Sequence, residues 1–196
     1  MGFILVTGTP GVGKTVFSQG LACRLHAKYV DLNDLVRNER IVLPEGAEDG
    51  SVTVDLPALR RRVQRFWLKS CEEPIILDGH LSHLIASPSR VRIVFVLRCD
   101  PRILLKRLER RGYSREKLRE NLLAEMLDVC LVESLERFGE EKVCEINASQ
   151  AGVDECVKLA LSVLSREVKP AVRVVDWIAT LEANGDLEKI LEWRFD

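Results

Sequence analysis

Phe3-Ile4-Leu5-Val6-Thr7-Gly8-Thr9-Pro10-Gly11-Val12-Gly13-Lys14-Thr15 decides the fold. The first five residues are a compact apolar run that reads as a strand, and Gly8 ends it. Residues 8–15 satisfy G-x-x-x-x-G-K-[ST], and the stretch from Val12 to His26 reads as the helix that follows. A strand before and a helix after are the context this pattern requires. Its glycines let the backbone curl until successive N–H groups converge on phosphate oxygens, and the helix N-terminus adds a partial positive charge. Lys14 is then placed to bridge the β- and γ-phosphates of a nucleoside triphosphate, and the Thr15 hydroxyl to ligate Mg²⁺. Pro10 stiffens the loop by fixing φ.

Outward from that stretch, short β-rich runs alternate with helical patterns. Tyr29–Leu32, Pro74–Asp78, Arg92–Leu97 and Lys142–Ile146 read as strands. Near-continuous apolar strands are covered on both faces, as in a parallel sheet, and the intervening helices argue for stacked βαβ units. Leu56, Leu59, Val63, Phe66 and Trp67 follow 3–4 spacing after the start signals Asp55 and Pro57. Leu118, Leu122, Met126 and Val129 form one stripe, and Val153, Val157, Leu161 and Leu164 another, each read as core-facing. Residues 1–165 are expected to form one domain and 166–196 a C-terminal helical extension. In the extension, Val172, Val175, Ile178 and Leu181 give one apolar stripe. Asn184-Gly185-Asp186 stops that helix and caps the next, whose stripe is Leu187, Ile190, Leu191 and Trp193. These two helices either dock on the core or form a partner-binding arm. Pro44–Ser51 is polar and glycine-containing and reads as a loop or flap.

Ile75-Ile76-Leu77-Asp78 is an apolar strand ending in a carboxylate, which makes Asp78 a candidate for ordering Mg²⁺ through water. His80 follows at the carboxyl end of the strand, where ligands gather in open α/β sheets. It reads either as a group that orients water or touches the γ-phosphate, or as a satisfied structural histidine; His83 reads as structural. Asn33, Asp34 and Arg37 follow the second strand. Arg37, one turn into a helix, is spaced to clamp a second phosphate group bidentately, unless this is a plain surface helix capped by Asn33 or Asp34. The segment Arg107-Leu108-Glu109-Arg110-Arg111-Gly112-Tyr113 puts Arg107 and Arg111 on one helical face, with Gly112 as a hinge. Arginines on a hinged cover suit phosphoryl transfer, which needs cationic stabilisation and exclusion of water.

Composition narrows the class. The chain has 196 residues, 46% hydrophobic and 30% charged, with a net charge of −1. That excludes a disordered chain and a wholesale polyanion-coating protein. The six cysteines, Cys23, Cys71, Cys99, Cys130, Cys144 and Cys156, include no C-x-x-C pair, which argues against a zinc ribbon or thioredoxin-type site. Most sit among apolar neighbours and are expected to be buried, reduced thiols. No apolar run is long enough to cross a bilayer, and the first strand begins too early for a signal peptide. The expectation is a soluble cytoplasmic protein without a membrane partner, nuclear as well in a eukaryote, and a monomer when free. Charge is uneven: Arg98–Arg119 holds seven Arg and two Lys against three acids, which suggests a polyanionic ligand such as nucleoside phosphates or RNA.

Taken in order, G-T-P-G-V-G-K-T, Asp31-Leu32-Asn33-Asp34-Leu35, Asp78-Gly79-His80, Val96-Leu97-Arg98 and Arg107-Leu108-Glu109-Arg110-Arg111-Gly112-Tyr113 resemble the family of the sixth adenylate kinase isoenzyme. That family is also called the coilin-interacting nuclear ATPase, and in yeast a small-subunit ribosome assembly factor. The resemblance covers about residues 3–165. It implies an α/β P-loop NTPase of the nucleoside monophosphate kinase type, with a five-stranded parallel sheet, a monophosphate flap at about 31–54 and a short lid at about 111–121. It also implies Mg²⁺-dependent transfer from ATP to AMP with broad monophosphate tolerance. A slower ATPase would serve small ribosomal subunit maturation, with a ribosomal protein and rRNA as partners. By position, Gly11, Gly13, Lys14, Thr15 and Val16 would hold ATP phosphates, Arg111 would match the lid-side ATP arginine, and Asp78 and His80 the second motif; Arg107, on the same helical face as Arg111, is expected to face ATP, and Asn33, Asp34 and Arg37, after the second strand, the monophosphate. Lys14, Asp78, His80 and Arg111 would be catalytic, with Thr15 and Asp78 on the metal. The segment Leu81-Ser82-His83-Leu84 lacks an acid associated with the nuclear members, and the lid lacks the paired aspartates and cysteine-bound zinc of larger adenylate kinases. The open alternatives are an ATP-driven assembly switch with negligible kinase activity, and a small-metabolite kinase of the same fold.

Overall fold

A parallel sheet of five strands carries the molecule, in the order β2-β3-β1-β4-β5. The computed structural model describes residues 2–43, 53–69 and 73–191. The polar stretch 44–51, part of the expected flap, Cys71 and Trp193, as well as the Trp67 side chain, lie outside the described residues. The strands are β1 (Phe3–Thr7), β2 (Lys28–Asp31), β3 (Ile75–Asp78), β4 (Val91–Arg98) and β5 (Val143–Asn147). Helices α1 (Lys14–Leu25), α2 (Leu32–Glu39), α3 (Leu56–Lys69), α4 (Ser82–Ile85), α5 (Pro101–Glu109), α6 (Arg115–Met126), α7 (Val129–Phe138) and α8 (Val153–Leu164) connect and flank them.

The apolar strand runs are explained by what covers them. Successive residues of β1 point to opposite faces. Ile4 and Val6 join Phe17 and Leu21 of α1, Leu104 of α5 and Val157 of α8 in one core. Phe3 and Leu5 join Leu35 of α2, Leu59 and Val63 of α3 and Leu131 of α7 in the other. With both faces buried, neither set of positions tolerates a polar side chain. The chain leaves β1 toward β2 on one side and leaves β4 toward β5 on the other. A crevice therefore opens at the carboxyl ends of β1 and β4, where open α/β sheets take their ligands.

Several sequence expectations need correction. The stripe from Leu118 to Val129 is two helices, because Asp128 adopts a left-handed backbone (φ 56°) between α6 and α7. Asp31, neither Asn33 nor Asp34, caps α2, accepting from the N–H groups of Asn33 and Asp34. Of the cysteines described, Cys99, Cys144 and Cys156 are buried as expected, but Cys23 is exposed and Cys130 half-buried. The basic run does not make one positive surface. Arg98 is 2% exposed and paired with Glu125, Asp128 and Glu145, and Arg102 is paired with Asp100 and Asp186.

The C-terminal segment docks on the core through its described residues. Its first stripe is not one helix: residues 171–176 are irregular, with Arg173 in the left-handed region (φ 58°), and α9 (Trp177–Ala183) starts later, followed by α10 (Leu187–Leu191). The N–H of Glu145 in β5 donates to the Ala171 carbonyl, and the N–H of Val174 donates back to the Glu145 carboxylate. This irregular segment thus covers part of the edge of β5, where unpaired backbone would otherwise be offered to other chains. Trp177 and Leu181 are buried against Met126, with Leu187 and Ile190 packed beside them, whereas Ile178 and Leu191 stay exposed.

Candidate active site

The loop between β1 and α1 is built around backbone that side chains would obstruct. Gly8 has φ 136°, and a Cβ there would lie 2.4 Å from the Leu97 carbonyl oxygen. At Gly11 (φ 97°) a Cβ would press on Leu104 at 2.8 Å. The start of α1 has no side-chain cap, so its first N–H groups are left to an anionic ligand. Lys14 lies back over the loop, its ammonium donating to the carbonyls of Gly8 (2.8 Å) and Thr9 (3.0 Å). Burial holds that ammonium below the usual lysine range, and the charges of Asp78 and Glu125 oppose the shift. Thr15 and Val16 follow it, both exposed at the mouth of the crevice.

Asp78 ends β3 directly beside Val6 of β1. It is 2% exposed. One carboxylate oxygen accepts from the Tyr29 hydroxyl at 2.9 Å, and the other, Oδ1, has no partner among the described residues. Burial raises its pKa, while Tyr29, Lys14 and the Thr15 hydroxyl pull it back down. A buried carboxylate oxygen without a donor, beside an exposed threonine hydroxyl, fits a hard divalent cation that keeps most of its water.

His80 follows Asp78 on the same strand end. Burial, with the nearby Lys14 ammonium and His83, lowers its pKa to about 4, so its imidazole is neutral at pH 7. His83 has the structural role read for it. Its Nδ1 lies 2.8 Å from the Thr7 hydroxyl and its Nε2 2.7 Å from Glu133.

Two cavities open near the phosphate loop and the end of β3. One, of about 230 Å³, is lined by Asn33, Val36 and Arg37 of α2, by Leu59, and by Gly79 and His80. Asp34 lies outside that lining and faces solvent, 3.8 Å from Arg37. The other, of about 260 Å³, lies over the loop and is lined by Gly11, Gly13, Val16, Arg107, Arg111 and Ala151, among others. Arg107 reaches the Gly11 and Val12 carbonyls at 3.4 and 3.3 Å. Arg111 lies just past the end of α5, and Gly112 makes the turn at φ 69°. The expected lid at 111–121 is therefore four residues of turn and connection, 111–114, and the first half of α6.

Two residues escaped the sequence reading. Tyr29 sits in the strand that places Asp31 opposite Asp78, and its partner is revealed only by the strand order. Glu125 is 1% exposed in α6 and accepts from Thr9 of the loop. It did carry a signal: an acid one residue before Met126, on the core-facing side of an apolar stripe.

Comparison with known proteins places the chain in a family and a fold. The AAA domain family matches residues 4–128. A protein of Methanocaldococcus jannaschii named "Putative adenylate kinase" is 38% identical over 174 residues, 89% of this chain and 92% of its own. Proteins of the same name from Thermococcus kodakarensis and Thermococcus gammatolerans are 39% and 40% identical, each over 89% of this chain and 92% of the relative. The chain belongs to this adenylate kinase-like family of P-loop NTPases. A match of 174 residues cannot fit within residues 1–165, so the likeness reaches into the C-terminal segment. Among solved structures, shikimate kinase from Acinetobacter baumannii superposes with TM-score 0.59 at 19% identity, over 86% of this chain and 96% of that one. A gluconokinase from Sinorhizobium meliloti gives TM-score 0.52 at 19% identity, over 85% and 93%. These show the fold: a kinase-type P-loop sheet. No helix among the described residues is long and apolar enough to cross a membrane.

Proposed function

We propose that the protein is a nucleoside monophosphate kinase that transfers the γ-phosphoryl group of ATP to AMP, giving two ADP. The observation that carries this reading is the pair of cavities, one over the phosphate loop and one against Gly79 and His80 just past β3, each with arginine at its wall. A donor phosphate chain lies against the loop N–H groups, with its base side toward Arg107 and Arg111. The acceptor phosphate lies against Arg37 and Asn33. In the transfer, the bond from the γ-phosphorus to the β–γ bridging oxygen breaks as a bond to an oxygen of the acceptor phosphate forms. Lys14 leaves the Gly8 and Thr9 carbonyls and follows the γ-phosphate, and Arg111 meets the charge that builds on the transferred group. Thr15, and Asp78 through water, hold Mg²⁺, which when bound offsets charge on the β- and γ-phosphates. Asp34, exposed beside Arg37, aids in orienting that arginine.

A second activity rests on His80. A neutral imidazole at the wall of the acceptor cavity can orient water when no monophosphate is present, and the site then releases free phosphate. The resemblance to the sixth-isoenzyme family supports placing this ATPase in small ribosomal subunit maturation, with a ribosomal protein and rRNA as partners. It also supports a monomer that works in the cytoplasm, and in the nucleus of a eukaryote.

The test is to incubate the protein with ATP and Mg²⁺, with and without AMP, and follow ADP and free phosphate. The kinase reading expects ADP without free phosphate, and only when AMP is present. Phosphate release indifferent to AMP but raised by a ribosomal protein would leave the ATPase switch in its place. Turnover on shikimate or gluconate but not AMP would leave a small-metabolite kinase. Lys14→Ala should abolish both activities, a loss of about 100-fold or more.

A further inference from the structure

One carboxylate ties the phosphate loop to the C-terminal segment. Glu125 Oε2 accepts from the Thr9 hydroxyl at 2.6 Å. Its Oε1 accepts from Arg98 Nε (2.9 Å), the Cys99 N–H (3.0 Å) and Trp177 Nε1 (3.0 Å). Every one of these groups is buried. Thr9 belongs to the loop, Arg98 and Cys99 to the end of β4, and Trp177 to the first turn of α9. A carboxylate taken out of water needs its donors kept in place, because an oxygen left short of them bears a desolvation cost. Moving any one donor therefore disturbs the geometry of the others.

Thr9 is also one of the two residues whose carbonyls hold Lys14. When the ammonium turns to a phosphate, that carbonyl keeps only the Val12 N–H, at 3.4 Å, and the hydroxyl bond to Glu125 becomes the side-chain tether of this part of the loop. We propose that Glu125 is a positioning residue of the phosphate loop, and that Trp177 makes nucleotide seating and docking of residues 177–191 one linked equilibrium. The proposal rests on the reading that a nucleoside phosphate occupies the loop. Linkage is reciprocal: whatever factor nucleotide adds to segment docking, docking adds to nucleotide affinity. A protein or RNA that engages α9 would then act on the nucleotide site without touching it.

The chain has three tryptophans, so Trp67→Phe with Trp193→Phe leaves Trp177 as the reporting indole. On this full-length parent, MgADP uptake is measured by calorimetry and Trp177 emission by fluorescence. MgADP should shift the emission. Thr9→Val should remove the shift and weaken MgADP binding about three- to ten-fold, in the range of coupled network residues. Thr9→Ser, which keeps the hydroxyl, should restore both. Trp177→Phe, which removes the N–H and keeps a ring, should weaken binding to a similar degree. The double variant Thr9→Val with Trp177→Phe should be no weaker than the weaker single. Multiplying losses, or MgADP uptake with no response of Trp177, would overturn the linkage while leaving the nucleotide reading intact. No uptake of MgADP by the folded parent would overturn the nucleotide reading, and the linkage with it.

Discussion

The Tyr29 hydroxyl donates to Asp78 Oδ2 at 2.9 Å, joining β2 to β3 directly beneath the loop that carries Lys14. The bond stabilises the ionised carboxylate against its own burial and leaves Oδ1 for a cation or its water. Tyr29→Phe removes the donor without changing the ring. The Asp78 pKa then rises further, so the acid limb of the pH–rate profile moves to higher pH, and the Mg²⁺ needed for half-maximal rate increases. The expected cost in stability is about 1–3 kcal/mol, typical of an abandoned buried hydrogen-bond partner. A pH–rate profile superposable on that of the parent would remove Tyr29 from the site.

Gly8 and Gly13 both have positive φ, 136° and 109°, but their surroundings differ. A Cβ on Gly8 meets the Leu97 carbonyl oxygen, whereas one on Gly13 meets nothing within 4 Å. Gly13→Ala should cost only backbone strain, about 1–3 kcal/mol. Gly8→Ala adds a clash with backbone of a central strand and should cost more, by about 1–3 kcal/mol. Urea unfolding of the two variants decides the order, and equal losses would contradict it.

His80 makes the stability of the protein pH-dependent in a defined direction. Its native pKa of about 4 lies below the ordinary 6.5. Between those values the unfolded chain takes up a proton at this ring and the native chain does not, so the contribution of His80 is complete above pH 6.5 and is lost as pH falls toward 4. His83, also lowered, acts in the same direction, and Asp78, raised, acts against both. Comparison with His80→Gln isolates the one ring: the parent should lose stability relative to the variant from pH 6.5 to 4. Identical pH slopes would show that His80 is not held neutral. In the proposed activities, His80→Ala should reduce ATP hydrolysis more than phosphoryl transfer; equal losses would refute the water-orienting role.

Arg98 is enclosed by Glu125, Asp128 and Glu145. Arg98→Met keeps much of the side-chain bulk but leaves two fully buried carboxylates without their cation. Such uncompensated charge costs about 3–5 kcal/mol, and melting followed by circular dichroism should drop by about 10 °C for a chain of this size. A variant as stable as the parent would mean that those carboxylates take up protons without penalty.

These residues also mark how far the linear chain could be read. The strands, the order of strand and helix, and the phosphate loop were legible because each depends on neighbours in sequence: apolar runs for buried strands, glycine for left-handed backbone, a helix start for anion binding. The break after Leu127 was not legible, since Asp128 leaves the helix to meet Arg98, thirty residues away in the chain. Nor was the fate of the basic run, where the sum of charges holds for the sequence but the partners of Arg98 and Arg102 come from α6, the α6–α7 junction, β5, neighbouring Asp100 and the C-terminal segment.

From the sequence alone came the identity of the loop, the class of sheet, and Lys14, Asp78, His80 and the arginines as the groups to watch. Folding alone decided which groups meet: Arg37 with His80, the Arg107–Arg111 face with the loop glycines, Tyr29 with Asp78, and Thr9 with Trp177 through Glu125. Local backbone preference and periodicity act over a few residues and are written in order along the chain. Burial of charge is settled by whichever partner the packing brings within hydrogen-bond reach, and that is a property of the closed fold.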